Sequence, residues 1–351
     1  MRSRLAAVAV TVLGSAALAV LPVSAQPNSS PGSIEIVDAP FENLCTPTDS
    51  ALEEVSGLAV TDDGIYAVAD SGTDDAVRVL DDQCRVTGTL PQPVDPFDVE
   101  DLAQADGRLW LSDTGDNAGA RTTVALTDMD TSTGAGTLRR LTYPDGAHDA
   151  EAILLGSDGV PVVVTKELFG ASGIYRPAGA LRAEQLPSPG PTALERVGQI
   201  GFEPTETPGG PVPFAGGAMI TGGAVSGDGT VVALRTYTDV YLYPAPDGDV
   251  VAALTGAEPI RVPMPDQPQG EAIAFTPAGD LLSASEADGG PLPPIRVLYG
   301  ATELVTSTTG EAGIALQVDP GAVIAAGVGA GLVVTVGGAL WWRARSRRRR
   351  N

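Results

Sequence analysis

The chain has 351 residues and a formal net charge of −23, with 21 Lys and Arg against 44 Asp and Glu. Eight of the basic residues lie at the two ends and every acidic residue lies between positions 35 and 319, so the central part carries −31. The electrostatic field of such an acidic domain repels nucleic acid and anionic lipid and attracts cations, which excludes a nucleic-acid partner. An acidic surface also keeps a protein soluble, so the charge alone assigns no ligand.

The first 25 residues have the pattern of a secretory signal peptide. Arg2 and Arg4 precede an apolar run that ends at Leu21, and small residues at positions 23–25 suit cleavage. No cysteine lies near this point, so the lipobox of a bacterial lipoprotein is absent. Residues 26–33 form a short linker to the predicted domain.

The chain has two cysteines, Cys45 and Cys84. An even number of cysteines in an exported domain predicts one disulfide, which would join the N-terminal segment to the first repeat. The alternative is a pair of free thiols.

A short acidic unit occurs five times between residues 56 and 286. Each copy has an apolar stretch, a turn closed by glycine, a β-branched stretch and a charged last residue. The turn glycines are Gly64, Gly107, Gly159, Gly229 and Gly279, and the last residues are Asp70, Asp113, Lys166, Arg235 and Glu286. The glycines are 43, 52, 70 and 50 residues apart. This spacing is typical of four-stranded propeller blades, which repeat every 40–50 residues or so.

We therefore predict an all-β domain over residues 34–305, a β-propeller of six, possibly five, blades. The long interval at residues 187–217 is either a loop inserted into one blade or a degenerate extra blade. A strand around residues 34–37 is expected to complete the last blade and close the ring. A two-sheet sandwich is the alternative fold, but it would not explain why the short acidic unit occurs five times.

The C-terminal part has the pattern of a membrane anchor. After a stalk at residues 306–320, residues 321–342 are uncharged and apolar for long enough to span a bilayer as a helix. The arginine-rich tail, residues 343–351, predicts that this end stays in the cytoplasm and that the domain lies outside the cell. We expect a single-pass protein of the cell membrane, and the length and the arginines argue against a buried core helix.

Three copies of the unit open on a glutamate: Glu100, Glu151 and Glu271. The innermost strands of a propeller line its channel, so equivalent positions face one another across the axis. Carboxylates gathered at one mouth repel each other unless a cation or protons neutralise them, and oxygen ligands of this kind suit Ca²⁺. The alternative is that these acids cap strands or pair with arginines.

Neighbouring polar residues extend the candidate calcium site. The predicted metal ligands are Glu100, Asp101, Asp113, Asp116, Asn117, Asp149, Glu151 and Glu271. The run SDTGDNAGAR places three of them in a glycine-containing turn, where Asp and Asn also commonly bond only their own backbone. The run lacks the closing acid of an EF-hand, so that motif is excluded.

Three basic residues are candidate ligand contacts: Lys166, Arg235 and Arg121. Lys166 is the single lysine and would contact a phosphate or carboxylate, or form a salt bridge with Glu167 or Glu151. The single histidine, His148, is interpreted first as a hydrogen-bonded loop residue and second as a catalytic base. One histidine and two paired cysteines cannot build a zinc site of the usual kind.

A series of short motifs covers residues 55–286. In chain order they are SGLA with ADSG, DVEDLA, DTGDN followed by Arg121, YPDGAHDAEAILL, VVTKE, SGDGTVVALRTY and GEAIAF with SASE. Together they resemble a group of secreted actinobacterial propeller proteins with an "esterase-like activity of phytase", or phytase-like, domain. The resemblance implies a β-propeller, Ca²⁺ and phosphoester hydrolysis, with the acidic motif residues as ligands and Lys166 and Arg235 as anion contacts. Related chains often have Trp where this one has Val99.

Two functions follow. The first is a cell-surface module with an acidic, calcium-binding channel that binds a small phosphorylated or ester ligand, or a surface protein, without catalysis. The second is a metal-dependent phosphoesterase or esterase, in which Glu151 or Glu271 is the general base and the cation activates water. The sequence contains no complete set of nucleophile and base, which favours the binding module.

Overall fold

The computed structural model describes residues 34–70 and 73–314, and these are mostly β-strand. In chain order the strands are β1 Glu35–Ile36, β2 Glu42–Cys45, β3 Val55–Thr61, β4 Gly64–Ala69, β5 Ala76–Leu80, β6 Val86–Pro91, β7 Val99–Ala105, β8 Arg108–Asp113, β9 Val124–Asp130, β10 Gly136–Thr142, β11 Ala150–Leu155, β12 Pro161–Thr165, β13 Ser172–Pro177, β14 Thr192–Ile200, β15 Ile220–Val225, β16 Val231–Thr236, β17 Asp239–Pro244, β18 Ile260–Pro263, β19 Gln269–Phe275, β20 Leu281–Glu286 and β21 Ile295–Leu298. The two α-helices are α1 Val250–Gly256 and α2 Ala301–Ile314.

The strands form five antiparallel groups of four. Groups 1 to 4 contain β3–β6, β7–β10, β11–β14 and β15–β18, and group 5 contains β19–β21 with β2. The first strands of the groups, β3, β7, β11, β15 and β19, pack against one another in that order, and β19 returns to β3. This ring of first strands confirms the predicted all-β, propeller-like architecture and excludes the two-sheet sandwich.

The first hairpin of each group explains why the sequence repeats as it does. The first and second strands are almost wholly buried, because each sheet is covered on both faces by its neighbours. Tight turns join these strands, and the glycines that close them have a positive φ, as at Gly107 (74°) and Gly159 (71°). This conformation is accessible to glycine without a steric cost, so each turn glycine marks one group.

The described strands make five groups, whereas the sequence favoured six blades. The long interval at residues 187–217 adds no group, because it contains β14, the outermost strand of group 3, and then connects to β15. The prediction for the closing strand was wrong. β1 pairs in parallel with β18 and extends group 4, whereas β2 pairs with β21 and completes group 5. β2 directly precedes group 1 in the chain, so the strand nearest to the first group closes the ring.

The predicted disulfide is confirmed between Cys45 and Cys84. Cys45 ends β2 in group 5, and Cys84 lies between β5 and β6 in group 1. Both pack on a core shared by the two groups that includes Leu58 and Val297. The bond therefore fastens the closing strand to the first group.

Several predicted segments lie outside the described residues: the signal peptide 1–25, the linker 26–33, the membrane span 321–342 and the tail 343–351. The described part of the predicted stalk, residues 306–314, belongs to α2. Within the residues that the model describes, no helix combines the length and apolar character needed to cross a bilayer.

Replacing both cysteines by serine is expected to destabilise the ring without changing its fold. The disulfide closes a loop with a sequence separation of 39 residues. Such a cross-link stabilises by about 3–4 kcal/mol in the chain-entropy model. Urea unfolding of the full chain, compared with the Cys45→Ser/Cys84→Ser variant, measures the difference. An unchanged midpoint would show that the closing strand is held by its sheet pairing alone.

Candidate functional site

The first strand of every group has a β-bulge at the same level. The bulges fall at Ser56, Glu100, Glu151, Thr221 and Glu271. Bulges re-aim side chains relative to a regular strand, and they often occur beside functional sites. The three glutamates are almost fully buried, with exposed fractions of 4%, 1% and 2% in chain order.

Two groups of three carboxylates meet at Glu100. Carboxylate oxygens of Asp70, Asp98 and Glu100 lie within 4.8 Å of one another, and the same holds for Glu100, Asp149 and Glu151. Asp98 and Asp149 directly precede the first strands of groups 2 and 3, and Asp70 follows the second strand of group 1. These five residues are called the acidic cluster below.

Glu271 lies beside the acidic cluster but is not a member of either group of three. Lys166 stands between it and Glu151: its Nζ donates a hydrogen bond of 2.5 Å to Glu151 Oε1 and lies 5.4 Å from the centre of the Tyr237 ring. Glu271 interacts electrostatically with both Glu151 and Lys166. The structure thus brings the three predicted glutamates to the same level of the ring, with Glu271 outside both groups of three.

Two buried carboxylate oxygens lack a hydrogen-bond partner among the described residues: Glu151 Oε2 and Glu271 Oε2. Buried polar atoms are nearly always hydrogen-bonded, so each exception calls for an ion, a water or a functional role. Leaving a buried carboxylate oxygen without a partner is especially costly, because the charge has lost its hydration. The geometry therefore leaves ligand positions open where the acids are most crowded.

Burial and mutual repulsion raise the pKa of these acids. Burial, and next the neighbouring Asp70, raise the pKa of Asp98 to about 7. Burial and then Glu151 raise the pKa of Glu100 well above its ordinary value. Burial lowers the pKa of Lys166, but the attraction of Glu151 and Glu271 outweighs it and leaves that pKa above its usual range. Lys166 therefore stays charged and is the cation that the chain places beside the acidic cluster.

Asp101, a predicted metal ligand, lies outside the acidic cluster. It is fully buried, and its Oδ2 accepts hydrogen bonds from the backbone N–H groups of Ile153 (2.9 Å) and Gly223 (3.3 Å). Its Oδ1 accepts from Leu102 N at 2.8 Å. These bonds join the first strands of groups 2, 3 and 4 at the centre of the ring. The Asp101 carboxyl therefore holds these three strands together.

The predicted ligands of the loop after β8 also bond to backbone. Asp113 accepts from the N–H of Asp98 at 3.0 Å and pairs with Arg121 at 2.8 Å. Asp116 accepts from the backbone N–H of Ala120 and Arg121 and donates its own N–H to Asp149 Oδ1 at 2.8 Å. These residues thus position Asp98 and Asp149.

Asn117 and Arg121 lie in the same loop without joining the acidic cluster. Asn117 is exposed at the surface. The Arg121 guanidinium donates to the carbonyls of Gly115 and Asp113, so it is largely occupied within the loop.

Arg235, a predicted ligand contact, is fully buried between groups 4 and 5. Its guanidinium donates to Ala272 O at 3.0 Å, Ser283 Oγ at 2.7 Å and Ala284 O at 2.7 Å. The sequence pattern placed Arg235 at the level of Lys166, but the strand registers give a different alignment. Thr165 pairs with Ala150 in group 3, and Thr236 pairs with Ile220 in group 4. The residue after Thr236, Tyr237, is therefore the equivalent of Lys166.

His148 makes the loop hydrogen bonds expected of it. Its Nε2 lies 3.0 Å from Asp145 Oδ1 and 3.1 Å from the Tyr175 hydroxyl. Tyr143 packs edge-on against the same ring. The imidazole is thus tied to one side of group 3.

Sequence reasoning left two members of the acidic cluster, Asp70 and Asp98, out of the ligand set. The position of each residue in the repeat could have identified it. Asp98 occupies the same place before its first strand as Asp149, and Asp70 occupies the level of Lys166 and Glu286 at the end of a second strand. Comparison of whole hairpins between groups would have found them.

A separate cavity of about 370 Å³ lies at the opposite end of the ring, between the hairpins that join first and second strands. Its walls are mainly small and apolar residues such as Leu58, Ile153 and Gly223. We place the candidate site at the acidic end instead, because the buried carboxylates and the oxygens without partners are there.

No family model matches the chain, and no curated protein matches it. Among solved structures, a luciferin-regenerating enzyme is similar at 14% sequence identity and a TM-score of 0.40, with 69% of this chain and 76% of that chain covered. The phytase-like resemblance accordingly stays a prediction from sequence motifs.

The metal-free domain is expected to lose stability as the pH rises from about 4 to about 8. The native pKa of Asp98 is about 7, and burial, then Asp70, also raise that of Glu286 to about 7. An unfolded carboxyl titrates near 4, so between these values the native state binds more protons and stability falls with pH. Thermal unfolding in a chelating buffer should show a midpoint lower by roughly 5 °C at pH 8 than at pH 5.

Carboxyls whose pKa is lowered do not reverse the fall in stability between pH 5 and pH 8. Hydrogen bonds from Ser226 and the backbone of Thr230 lower the pKa of Asp228, so its contribution to stability is lost only at pH values below 4. A midpoint that stays level or rises between pH 5 and pH 8 would contradict the assignment of protonated acids to the cluster.

Proposed function

We propose that the domain binds a divalent cation, Ca²⁺ in the first place, on Glu100, Asp149 and Glu151. The observation that carries this proposal is the buried Glu151 Oε2, which has no hydrogen-bond partner among the described residues. It belongs to a side chain whose carboxylate lies within 4.8 Å of two others. A hard cation with oxygen ligands fits this donor set, and carbonyls and water would complete its shell.

The charge balance supports a divalent ion. Five carboxylates form the acidic cluster, and Lys166 is held by one of them. Buried charges persist only when they are paired or neutralised. A cation at Glu100 would contact both groups of three, so one ion relieves the repulsion in the whole cluster.

In this proposal the five strand groups are the blades of a five-bladed propeller, closed by β2, and the cation sits at one mouth of its channel. The predicted signal peptide and membrane span would place this mouth outside the cell. The domain then acts as a non-catalytic surface module that binds a ligand through the cation. The phytase-like motifs are consistent with a calcium-dependent propeller.

Hydrolysis of a phosphate or carboxylic ester is a second candidate, and Glu271 favours it. Burial and then Glu151 raise its pKa well above its ordinary value, and its Oε2 has no partner among the described residues. Both are traits of a general base. The bound cation would polarise the scissile group. Turnover of p-nitrophenyl phosphate or acetate that requires Ca²⁺ and is lost in Glu271→Gln would establish this function, and its absence favours the binding module.

Glu100→Gln is expected to weaken Ca²⁺ binding by at least ~30-fold, because it removes the carboxylate shared by both groups of three. The same change should raise the melting temperature of the metal-free protein at pH 8, since Gln is neutral without taking up a proton. Calorimetric titration of the chelator-treated full chain with Ca²⁺ and thermal unfolding measure the two effects.

Glu195→Gln is the matched control, because Glu195 is a partly exposed acid on β14 that pairs with Arg176 and does not belong to the acidic cluster. It should change neither quantity. If wild-type protein gives no binding heat with Ca²⁺ and no rise in melting temperature, the proposed function is wrong. If Glu100→Gln binds Ca²⁺ as tightly as wild type, the cation lies elsewhere.

A further inference from the structure

The Lys166 ammonium is surrounded by groups that attract a positive charge. Its side chain is 12% exposed, and its Nζ donates a hydrogen bond of 2.5 Å to Glu151 Oε1. The same Nζ lies 5.4 Å from the centre of the buried Tyr237 ring, within the range of a cation–π contact. Glu271 attracts it as well. These groups come from three neighbouring strand groups, so the ammonium lies where groups 3, 4 and 5 meet.

The residues that follow the second strands lie at one level of the ring. In the order of the groups they are Asp70, Thr114, Lys166, Tyr237 and Glu286. Four of the five side chains carry oxygen, and Lys166 alone carries a positive charge. The chain thus places its single lysine at a level where the other residues offer the ligand atoms of a hard cation.

Glu151 uses its two carboxylate oxygens differently. Oε1 accepts the hydrogen bond from Lys166, whereas Oε2 is buried and has no hydrogen-bond partner among the described residues. In the proposed function Oε2 is a ligand of the divalent ion. The carboxylate then has the divalent ion on one oxygen and the ammonium on the other, so two cations share its charge.

The backbone on both sides of Glu271 is fixed by group 4. Thr221 Oγ1 donates to the Gly270 carbonyl at 2.7 Å. The Arg235 guanidinium donates to the Ala272 carbonyl at 3.0 Å. The Glu271 side chain is 2% exposed, and its Oε2 also lacks a hydrogen-bond partner within the described part of the chain. A buried carboxylate is retained in its charged form only beside a positive charge.

Lys166 supplies most of that positive charge. Burial and then Glu151 raise the pKa of Glu271, and Lys166, followed by Arg235, opposes this shift. A divalent ion placed between Glu151 and Glu271 would lie close to the Lys166 ammonium, and the two like charges would repel strongly in this buried place. A metal ion and the ammonium therefore cannot occupy it together.

We infer that the Lys166 ammonium is a tethered cation that fills a second cation position, between Glu151 and Glu271, and limits the domain to one divalent ion. This inference rests on the proposed function, because it concerns how many ions the same end of the ring takes up. It makes Lys166 the residue that sets the metal stoichiometry, and Glu271 a partner of Lys166 instead of a ligand of the first ion.

Equilibrium dialysis of the chelator-treated full chain against Ca²⁺ at pH 8 counts the ions bound per chain. Wild type should bind one ion. Lys166→Met keeps the length of the side chain without its charge, so it should bind two, the second at least ~30-fold more tightly than wild type would bind a second ion. Lys166→Arg keeps the charge and should bind one. Arg176→Met is the matched control, because it removes a positive charge that pairs with Glu195 outside the acidic cluster, and it should also bind one.

Variants of Glu271 locate the second position. Adding Glu271→Gln to Lys166→Met should return the count to one ion. Glu271→Gln alone should leave the single ion bound within about threefold of its wild-type affinity, since Glu271 does not bind that ion. This variant also tests the inference if Lys166→Met fails to fold. A loss of about tenfold or more in Glu271→Gln alone would show that Glu271 binds the first ion and that Lys166 fills no separate position.

The ion counts separate the two proposals. If Lys166→Met binds one ion, whether more tightly than wild type or not, the inference is wrong and the proposed function stands. Two ions bound by wild type would overturn the inference in the same way. If wild type binds no Ca²⁺, the proposed function is wrong and the inference falls with it.

Discussion

The crowding of like charges around Glu100 is the constraint on which the rest of this structure depends. Oxygens of two carboxylate groups of three converge there, and burial deprives Glu100 and Glu151 of water, whereas the three aspartates are half-buried. Lys166 neutralises one member of the cluster through its bond to Glu151. The remaining repulsion works against folding, so the native state gains stability from any cation or proton that it takes up.

Three sets of contacts outside the acidic cluster hold neighbouring groups of the ring together. Asp101 joins the first strands of groups 2, 3 and 4 through backbone N–H groups, and Arg235 joins group 4 to group 5 through carbonyls. The Cys45–Cys84 bond fastens group 5 to group 1. Two of these residues were predicted to bind ligands, but their work is to hold the groups together. Asp101 accepts backbone N–H groups and Arg235 donates to backbone carbonyls, so these two buried side chains are hydrogen-bonded across the groups.

The sequence predicted the ring and the gathering of Glu100, Glu151 and Glu271 at one mouth, because a repeat with a fixed acid leaves few other folds. It could not predict register. The level of Lys166 corresponds to Tyr237 and not to Arg235, a shift of two residues that a charge pattern does not reveal. The closing strand was also misplaced, since β1 and β2 are both short and only sheet pairing decides between them. Whether an acid binds an ion or a backbone N–H depends on such details.

The mouth is asymmetric because two of its five equivalent positions are hydroxyl residues. Ser56 Oγ bonds to the Glu100 carbonyl at 2.7 Å, and Thr221 Oγ1 bonds to the Gly270 carbonyl at 2.7 Å. Thr221 occupies the position between Glu151 and Glu271 in the order of groups, so it interrupts the run of acids there. The carboxylates of the acidic cluster therefore lie at groups 1 to 3. A five-fold scaffold thus presents its charge in one direction, which a symmetric ring of acids would not do.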